Sequence, residues 1–321
     1  MRRPCLTATT RGMVKGVSFK VARGGIRLDA ALVAAFPSVP RAFAREAVAS
    51  GLVTVDGRHA RKGERLAGGE TVFVKELLEA GDNVVQPDPS VDAPCVFEDS
   101  SLLAFDKPAG MKVQPLSCRE KGTLANGVAA RWPECIPLGD RPLMAGALHR
   151  IDAGTSGLVM VARTAEAFAA VRSQFASHSV EKRYLALVGG RVAEGGKVEC
   201  DLVHEAGLPF CRMADARTAR PASRRERPMP AVTSYRPIAC FGEGGKARTL
   251  LDVVIFTGVT HQIRAQLAMA GLHIVNDTLY GAHAEDGVLG HRLHALSATF
   301  MHPATGKKTT IATPAPEWAN G

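Results

Sequence analysis

The sequence predicts an α+β protein, in which a small α/β N-terminal module precedes a larger sheet domain that is not a doubly wound parallel sheet. Two observations carry this expectation. Beyond residue 93, apolar runs that read as strands outnumber helical patterns and do not alternate with them regularly. The net charge of +9 is also segregated: residues 1–75 hold 14 Lys and Arg against 5 Asp and Glu, while residues 76–321 hold 26 of each. With 321 residues and 46% apolar side chains, the chain can build two domains with cores of their own.

Residues 1–24 read as a basic, flexible start. The module follows over 25–75. Leu28, Ala31, Leu32 and Ala35 share one helical face; Pro37 and Pro40 interrupt; Phe43, Ala47 and Val48 mark a second short helix stopped at Gly51. Val53 and Val55 alternate before an Asp56-Gly57 turn, and Thr71 to Val74 closes the module as a strand. Arg41 and Arg45 lie four apart on the second helix, and Arg58, Arg61, Lys62 and Arg65 crowd the next loop. A basic module beside a neutral body fits a polyanionic partner, because Lys and Arg gain affinity for phosphates through counterion release.

Residues 76–92, mixing acids, Asn and two prolines, read as a linker, and the second domain is expected over 93–321. In it Leu102 to Phe105 reads as a strand entering a Lys-Pro-Ala-Gly turn, and Gly157 to Ala162 as a buried strand. Thr164 caps a helix through Phe168, Val171, Arg172 and Phe175. Glu181–Val188 and Leu250–Thr257 are further strands.

The seven cysteines are odd in number and lack a C-x-x-C pair, which argues against a disulfide framework and a structural zinc site. No run approaches the roughly 18 apolar residues of a membrane span, and the basic N-terminus leads into no signal-type segment. A cytoplasmic protein with no membrane partner and no metal is expected, with monomer as the default state.

Residues 148–163, LHRIDAGTSGLVMVAR, hold one acidic residue, Asp152, between Arg150 and a Gly-Thr-Ser-Gly turn. Alone, such an aspartate is a turn former. A serine-nucleophile reading fails, because Ser156 is followed at once by Gly157 and the G-x-S-x-G pattern is not met. His149, Thr155 and Ser156 are expected to set the loop through hydrogen bonds.

Six more segments surround it in order: DKPAGMKVQP (106–115), EKRYLALV (181–188), GVTHQIRAQLAMAG (258–271), NDTLYG (276–281), RLHA (292–295) and FMHPATG (300–306). With HRIDAGTSG, this series resembles the RluA family of pseudouridine synthases over residues 93–311. Residues 25–75 resemble the S-four-type (alpha-L) RNA-binding domain, with Pro40 where that family usually has Ser.

The resemblance implies a mostly antiparallel, mixed sheet of the pseudouridine synthase type. It also implies an activity: uridine in RNA becomes its carbon-linked isomer, with no cofactor. Breaking the glycosidic bond develops positive charge on the ribose, which suits a carboxylate. By this resemblance Asp152 is that carboxylate, Arg264 its pairing arginine, and Tyr184 a ring that stacks on uracil and helps remove the carbon 5 proton. Arg150 enters the space left by the flipped nucleotide or holds its phosphates. Arg41, Arg45, Arg61, Lys62 and Arg65 contact structured RNA, with ribosomal RNA of the large subunit ahead of transfer RNA.

Departures occur at Val259, Gln266 and Asn276, where the family commonly has Arg, His and Gly. CRMADARTARPASRRERP, with six arginines, is a solvated loop or a second RNA-contacting loop. Two rivals stand beside the synthase: a non-catalytic RNA-binding factor on the same fold, and a hydrolase, which would need a second positioned carboxylate or an activated water.

Overall fold

The computed structural model describes residues 13–207, 212–223, 225–285 and 287–320. The chain divides into two compact units, Met1–Val84 and Val85–Gly321.

In the first unit, helices α1 (Leu28–Ala35) and α2 (Arg41–Ala49) bury Leu28, Ala31, Leu32, Ala44, Ala47 and Val48 against a four-stranded sheet. Ala35, expected on the inner face, is exposed. Strand order is β1-β4-β2-β3, from β1 (Val14–Lys20), β2 (Val53–Val55), β3 (Arg58–His59) and β4 (Thr71–Leu77). Asp56 and Gly57 both take positive φ, +47° and +77°, as a two-residue hairpin between β2 and β3 requires. The start read as flexible is corrected over its described part: β1 pairs antiparallel with β4 from Val14↔Leu77 to Lys20↔Thr71. Residues 1–12 of that expectation lie outside the described residues.

The linker expected over 76–92 is likewise structured. Leu77 ends β4 inside the first core. In the second unit the Asn126 amide donates to the Gln86 carbonyl at 2.7 Å, and the Asp88 amide donates to the Asn126 carbonyl at 3.0 Å. Val91 is buried against Gly127, leaving no room for a Cβ there. Apolar side chains at both ends of this polar stretch are what draw it onto the two bodies.

The second unit is a ten-stranded sheet in the order β10-β9-β11-β12-β8-β13-β7-β6-β5, with β14 on β13. Its strands are β5 (Cys95–Glu98), β6 (Leu102–Lys107), β7 (Ser156–Ala162), β8 (Glu181–Gly189), β9 (Gly196–His204), β10 (Met213–Asp215), β11 (Met229–Phe241), β12 (Arg248–Ile255), β13 (Leu293–Met301) and β14 (Lys308–Ala312). Among the described residues every strand pairing is antiparallel except β7 with β13 at His294↔Ser156 and Ala295↔Gly157. That junction is close: a Cβ on Gly157, whose φ is +104°, would stand 2.2 Å from the Ala295 carbonyl oxygen.

Three α-helices among the described residues complete the unit. α3 (Leu124–Arg131) starts in a reciprocal cap between Thr123 and Asn126. α4 (Ala165–Ala176) starts at Thr164, whose hydroxyl accepts the Ala167 amide at 3.1 Å. α5 (Gln262–Met269) carries Ile263 and Leu267 into the main core with Tyr184, Val253 and Ala295. No helix among the described residues is long and apolar enough to cross a membrane.

Candidate active site

Asp152 sits in the turn that feeds β7, and the turn is held from both sides. Lys107, at the end of β6 and fully buried, donates to the carbonyls of Pro108 (2.9 Å), Met111 (2.7 Å) and Ala153 (3.2 Å). The Gly110 amide reaches the same Ala153 carbonyl at 2.7 Å. Burial pushes the Lys107 ammonium down to about 8, against the opposing pull of Asp152 and Asp106. On the other side Thr155 bonds His291 at 2.7 Å and Ser156 bonds His294 at 2.9 Å. The His149 Nε2 accepts the Met160 amide at 3.1 Å, and burial pushes that imidazole down to about 3. His149, Thr155 and Ser156 thus shape the loop, as expected, and Gly157 lets it meet β13.

Arg264 lies in the first turn of α5, with only 8% of its side chain exposed. Its guanidinium bridges two carboxylates. Nε and Nη2 donate to the two oxygens of Asp277 at 2.7 Å each, and Nη1 donates to Asp152 Oδ2 at 2.8 Å. Burial opposes the arginine's charge, but the Asp277 hydrogen bonds and both carboxylate charges outweigh it and hold the cation. Asp277 has 1% of its side chain exposed and Asp152 27%, so only one of the two carboxylates is open to a ligand.

Asp152 opens into a cavity of about 680 Å³ that Arg150, Tyr184, His261 and Arg264 also line. The structure therefore brings together four residues singled out in the sequence: Arg150, Asp152, Tyr184 and Arg264. Tyr184 is set in the middle of the sheet, opposite Val253 of β12 and Ala295 of β13. Burial, and then the Asp152 charge, push its phenol well above the usual tyrosine range. The hydroxyl stays protonated, and the ring is largely buried, with the main core behind it and the cavity beside it. Arg150 is exposed at the cavity wall.

The basic residues of the module occupy the other unit. Arg41 and Arg45 both donate to the Asp29 carboxylate, at 3.1 and 2.9 Å, and Arg27 joins them at 3.0 Å. These bonds, the Arg27 one foremost, hold Asp29 far below the usual carboxylate range. Arg27 lies opposite Arg65 in a backbone bridge, so the helix arginines and the basic loop form one neighbourhood. Arg65 donates to the Gly25 carbonyl at 2.7 Å, while Arg61 and Lys62 are exposed.

Reading the sequence missed Asp277, Lys107, His261 and Asp29. The first three stand inside segments already quoted, NDTLYG, DKPAGMKVQP and GVTHQIRAQLAMAG, where each looked like a turn or helix-end residue. The departures have physical accounts. Asn276 takes φ +64°, a conformation open to Asn as well as Gly, and its side chain ties down the Glu285 amide and the Val288 carbonyl. Gln266 is fully buried, bonded to Thr233 at 2.6 Å and to the Ala231 carbonyl at 2.9 Å. Val259 lines the cavity. In the arginine-rich segment, Arg217 is paired with Asp215 and Arg224 lies outside the described residues.

Comparison with known proteins followed the same division. Residues 101–269 match the RNA pseudouridylate synthase family, and residues 26–72 match the S4 domain. The "Ribosomal large subunit pseudouridine synthase D" of Xanthomonas campestris pv. campestris is 34% identical over 306 residues, covering 91% of this chain and 86% of that protein. The protein of the same name from Xylella fastidiosa is 31% identical with the same coverage. Among solved structures, "Human RNA Pseudouridylate Synthase Domain Containing 1" shares the fold, with a TM-score of 0.57 and 22% identity over 72% of this chain and 87% of that one.

Proposed function

The chain belongs to the RNA pseudouridylate synthase family, and on that premise we propose that it isomerises uridines of large-subunit ribosomal RNA, with Asp152 as the reacting carboxylate. The observation that carries the assignment is the division of labour around Arg264. Asp277 takes two of its donors in the buried interior, and Asp152 takes the third at the cavity surface. Arg264 thereby sets a buried positive charge against Asp152 at the cavity surface, through a charge-assisted hydrogen bond of 2.8 Å.

Asp152 offsets the positive charge that develops on the ribose as the glycosidic bond breaks. The uracil turns in the cavity against the face of Tyr184 and rejoins through carbon 5, which gives up its proton to solvent while N1, released from the ribose, takes one up. Arg150, at the cavity wall, meets the phosphates or the gap left by the flipped nucleotide. Arg41, Arg45, Arg61, Lys62 and Arg65 dock the module on structured RNA, and ribosomal RNA as substrate sets the place of action in the cytoplasm. The chain acts as a monomer, and neither cofactor nor metal enters the scheme.

The hydrolase reading needs a second positioned carboxylate or an activated water. Asp277 is the other carboxylate in the cluster, and both its oxygens are engaged by Arg264. The test is RNA carrying tritium at uridine carbon 5, incubated with the protein and with Asp152→Asn. Wild type releases tritium and leaves pseudouridine in the RNA, while Asp152→Asn binds RNA and releases none. Free uracil in place of pseudouridine, or full activity of the variant, would overturn the proposal.

A further inference from the structure

His261 opens α5 in the left-handed region, with φ +53° and ψ +17°. A residue other than glycine is strained there, and such strain persists only where the surroundings fix the backbone. Here Gln262 fixes it. Its buried side chain donates to the Val232 carbonyl at 2.9 Å and accepts the Val259 amide at 3.2 Å. The bend delivers the imidazole into the cavity, with Nε2 3.7 Å from Asp152 Oδ2.

Tyr280 decides which ring nitrogen carries the proton. Its hydroxyl accepts the Met213 amide at 2.8 Å and lies 3.2 Å from His261 Nδ1. Burial pushes that phenol up to about 12, so it keeps its one hydrogen, which the 3.2 Å contact lets it donate to Nδ1. Nε2 is then the N–H of the imidazole, and burial lowers the ring's basicity in spite of Asp152. Two donors therefore converge on Oδ2 of Asp152: Arg264 Nη1 at 2.8 Å and His261 Nε2 at 3.7 Å. No hydrogen bond among the described residues engages Oδ1.

We propose that His261 is a positioning residue for the reaction: its Nε2–H, oriented by Tyr280, fastens Asp152 Oδ2 together with Arg264, so that Oδ1 is the oxygen presented to the ribose. This rests on the reading of Asp152 as the reacting carboxylate. The 3.7 Å separation lies beyond hydrogen-bond range in the free protein, and such contacts tighten once substrate closes the site.

The test compares four variants in single-turnover tritium release, with RNA affinity and thermal unfolding measured beside it. His261→Gly suits the left-handed backbone and removes only the imidazole. His261→Gln restores an amide N–H near the Nε2 position. Tyr280→Phe removes the group that sets the tautomer, and the double variant His261→Gly with Tyr280→Phe tests coupling. The expected result is a rate loss of about tenfold to a hundredfold for His261→Gly, with affinity and melting temperature unchanged and partial recovery in His261→Gln. Tyr280→Phe lowers the rate alone but adds no loss to His261→Gly. A wild-type rate in His261→Gly, a loss tracked by melting temperature or affinity, or multiplying losses in the double variant would overturn the inference. Asp152→Asn in the same assay separates the two claims: if it keeps its rate, the reading of Asp152 fails, and if it is inactive while His261→Gly is not impaired, only the role of His261 fails.

Discussion

Asp277→Asn should damage stability and activity together, in contrast to Asp152→Asn. Arg264 places two donors on Asp277 at 2.7 Å, in a pair whose side chains are 8% and 1% exposed. The asparagine keeps one acceptor oxygen but turns an amide donor toward a guanidinium that is all donors. Breaking a buried ion pair costs about 3–5 kcal/mol. The lower end applies here, because Arg264 retains Asp152. For a unit of this size about 3 kcal/mol lowers the melting temperature by roughly 6–12 °C. Freed from Asp277, the guanidinium also shifts against Asp152, and a displacement near 1 Å can cost about a hundredfold in rate. Asp152→Asn cuts a single bond at a partly open carboxylate and should move stability by about 1.5 kcal/mol, the low end for a hydrogen bond to a charged group, while abolishing product. The assays are thermal unfolding and tritium release on the same preparations. A wild-type melting temperature and rate in Asp277→Asn would refute the argument, and so would an equal loss of stability in Asp152→Asn, which would make that carboxylate structural.

Three further outcomes are expected. Burial pushes His291 and His294 down to about 4, so between their ordinary value near 6.5 and pH 4 the unfolded chain binds protons that the folded one does not. Stability therefore falls as pH drops through that window, by up to about 3 kcal/mol for each histidine; urea unfolding at pH 7 and pH 5 should show it, less steeply in His291→Gln. Gly157→Ala would place a methyl 2.2 Å from the Ala295 carbonyl oxygen and should cost more than the ~1–2 kcal/mol of a left-handed alanine alone, read as a lower melting temperature. Arg45→Gln should weaken binding of structured RNA without changing sequence preference and flatten the slope of log affinity on log salt by about 0.7–0.9, measured by filter binding at several salt concentrations.

What could be read from the sequence was what is local. The strand from Gly157 to Ala162 and the helix capped by Thr164 follow from an apolar run and a hydroxyl placed before it, and both form. Strand β1 was illegible because VKGVSFK has a glycine within it and mostly half-exposed or exposed side chains, and its partner lies some fifty residues on. The charge clusters were illegible for a related reason. Asp29 looks like an ordinary acidic residue in a first helical turn, yet Arg27, Arg41 and Arg45 all converge on it. Asp277 looks like a turn residue, and it gains its place only when the chain brings α5 over the turn before β7. Asp152, Tyr184 and Arg264 were singled out through the order of their motifs, and Asp152 and Arg264 are in direct contact.

If this chain makes pseudouridine through Asp152, a map of pseudouridine across ribosomal RNA from cells lacking the gene will show it. Cells complemented with the wild-type chain should regain discrete sites in the large-subunit RNA, and cells complemented with Asp152→Asn should lack those same sites. Identical maps with and without the gene, or sites restored by Asp152→Asn, would contradict it.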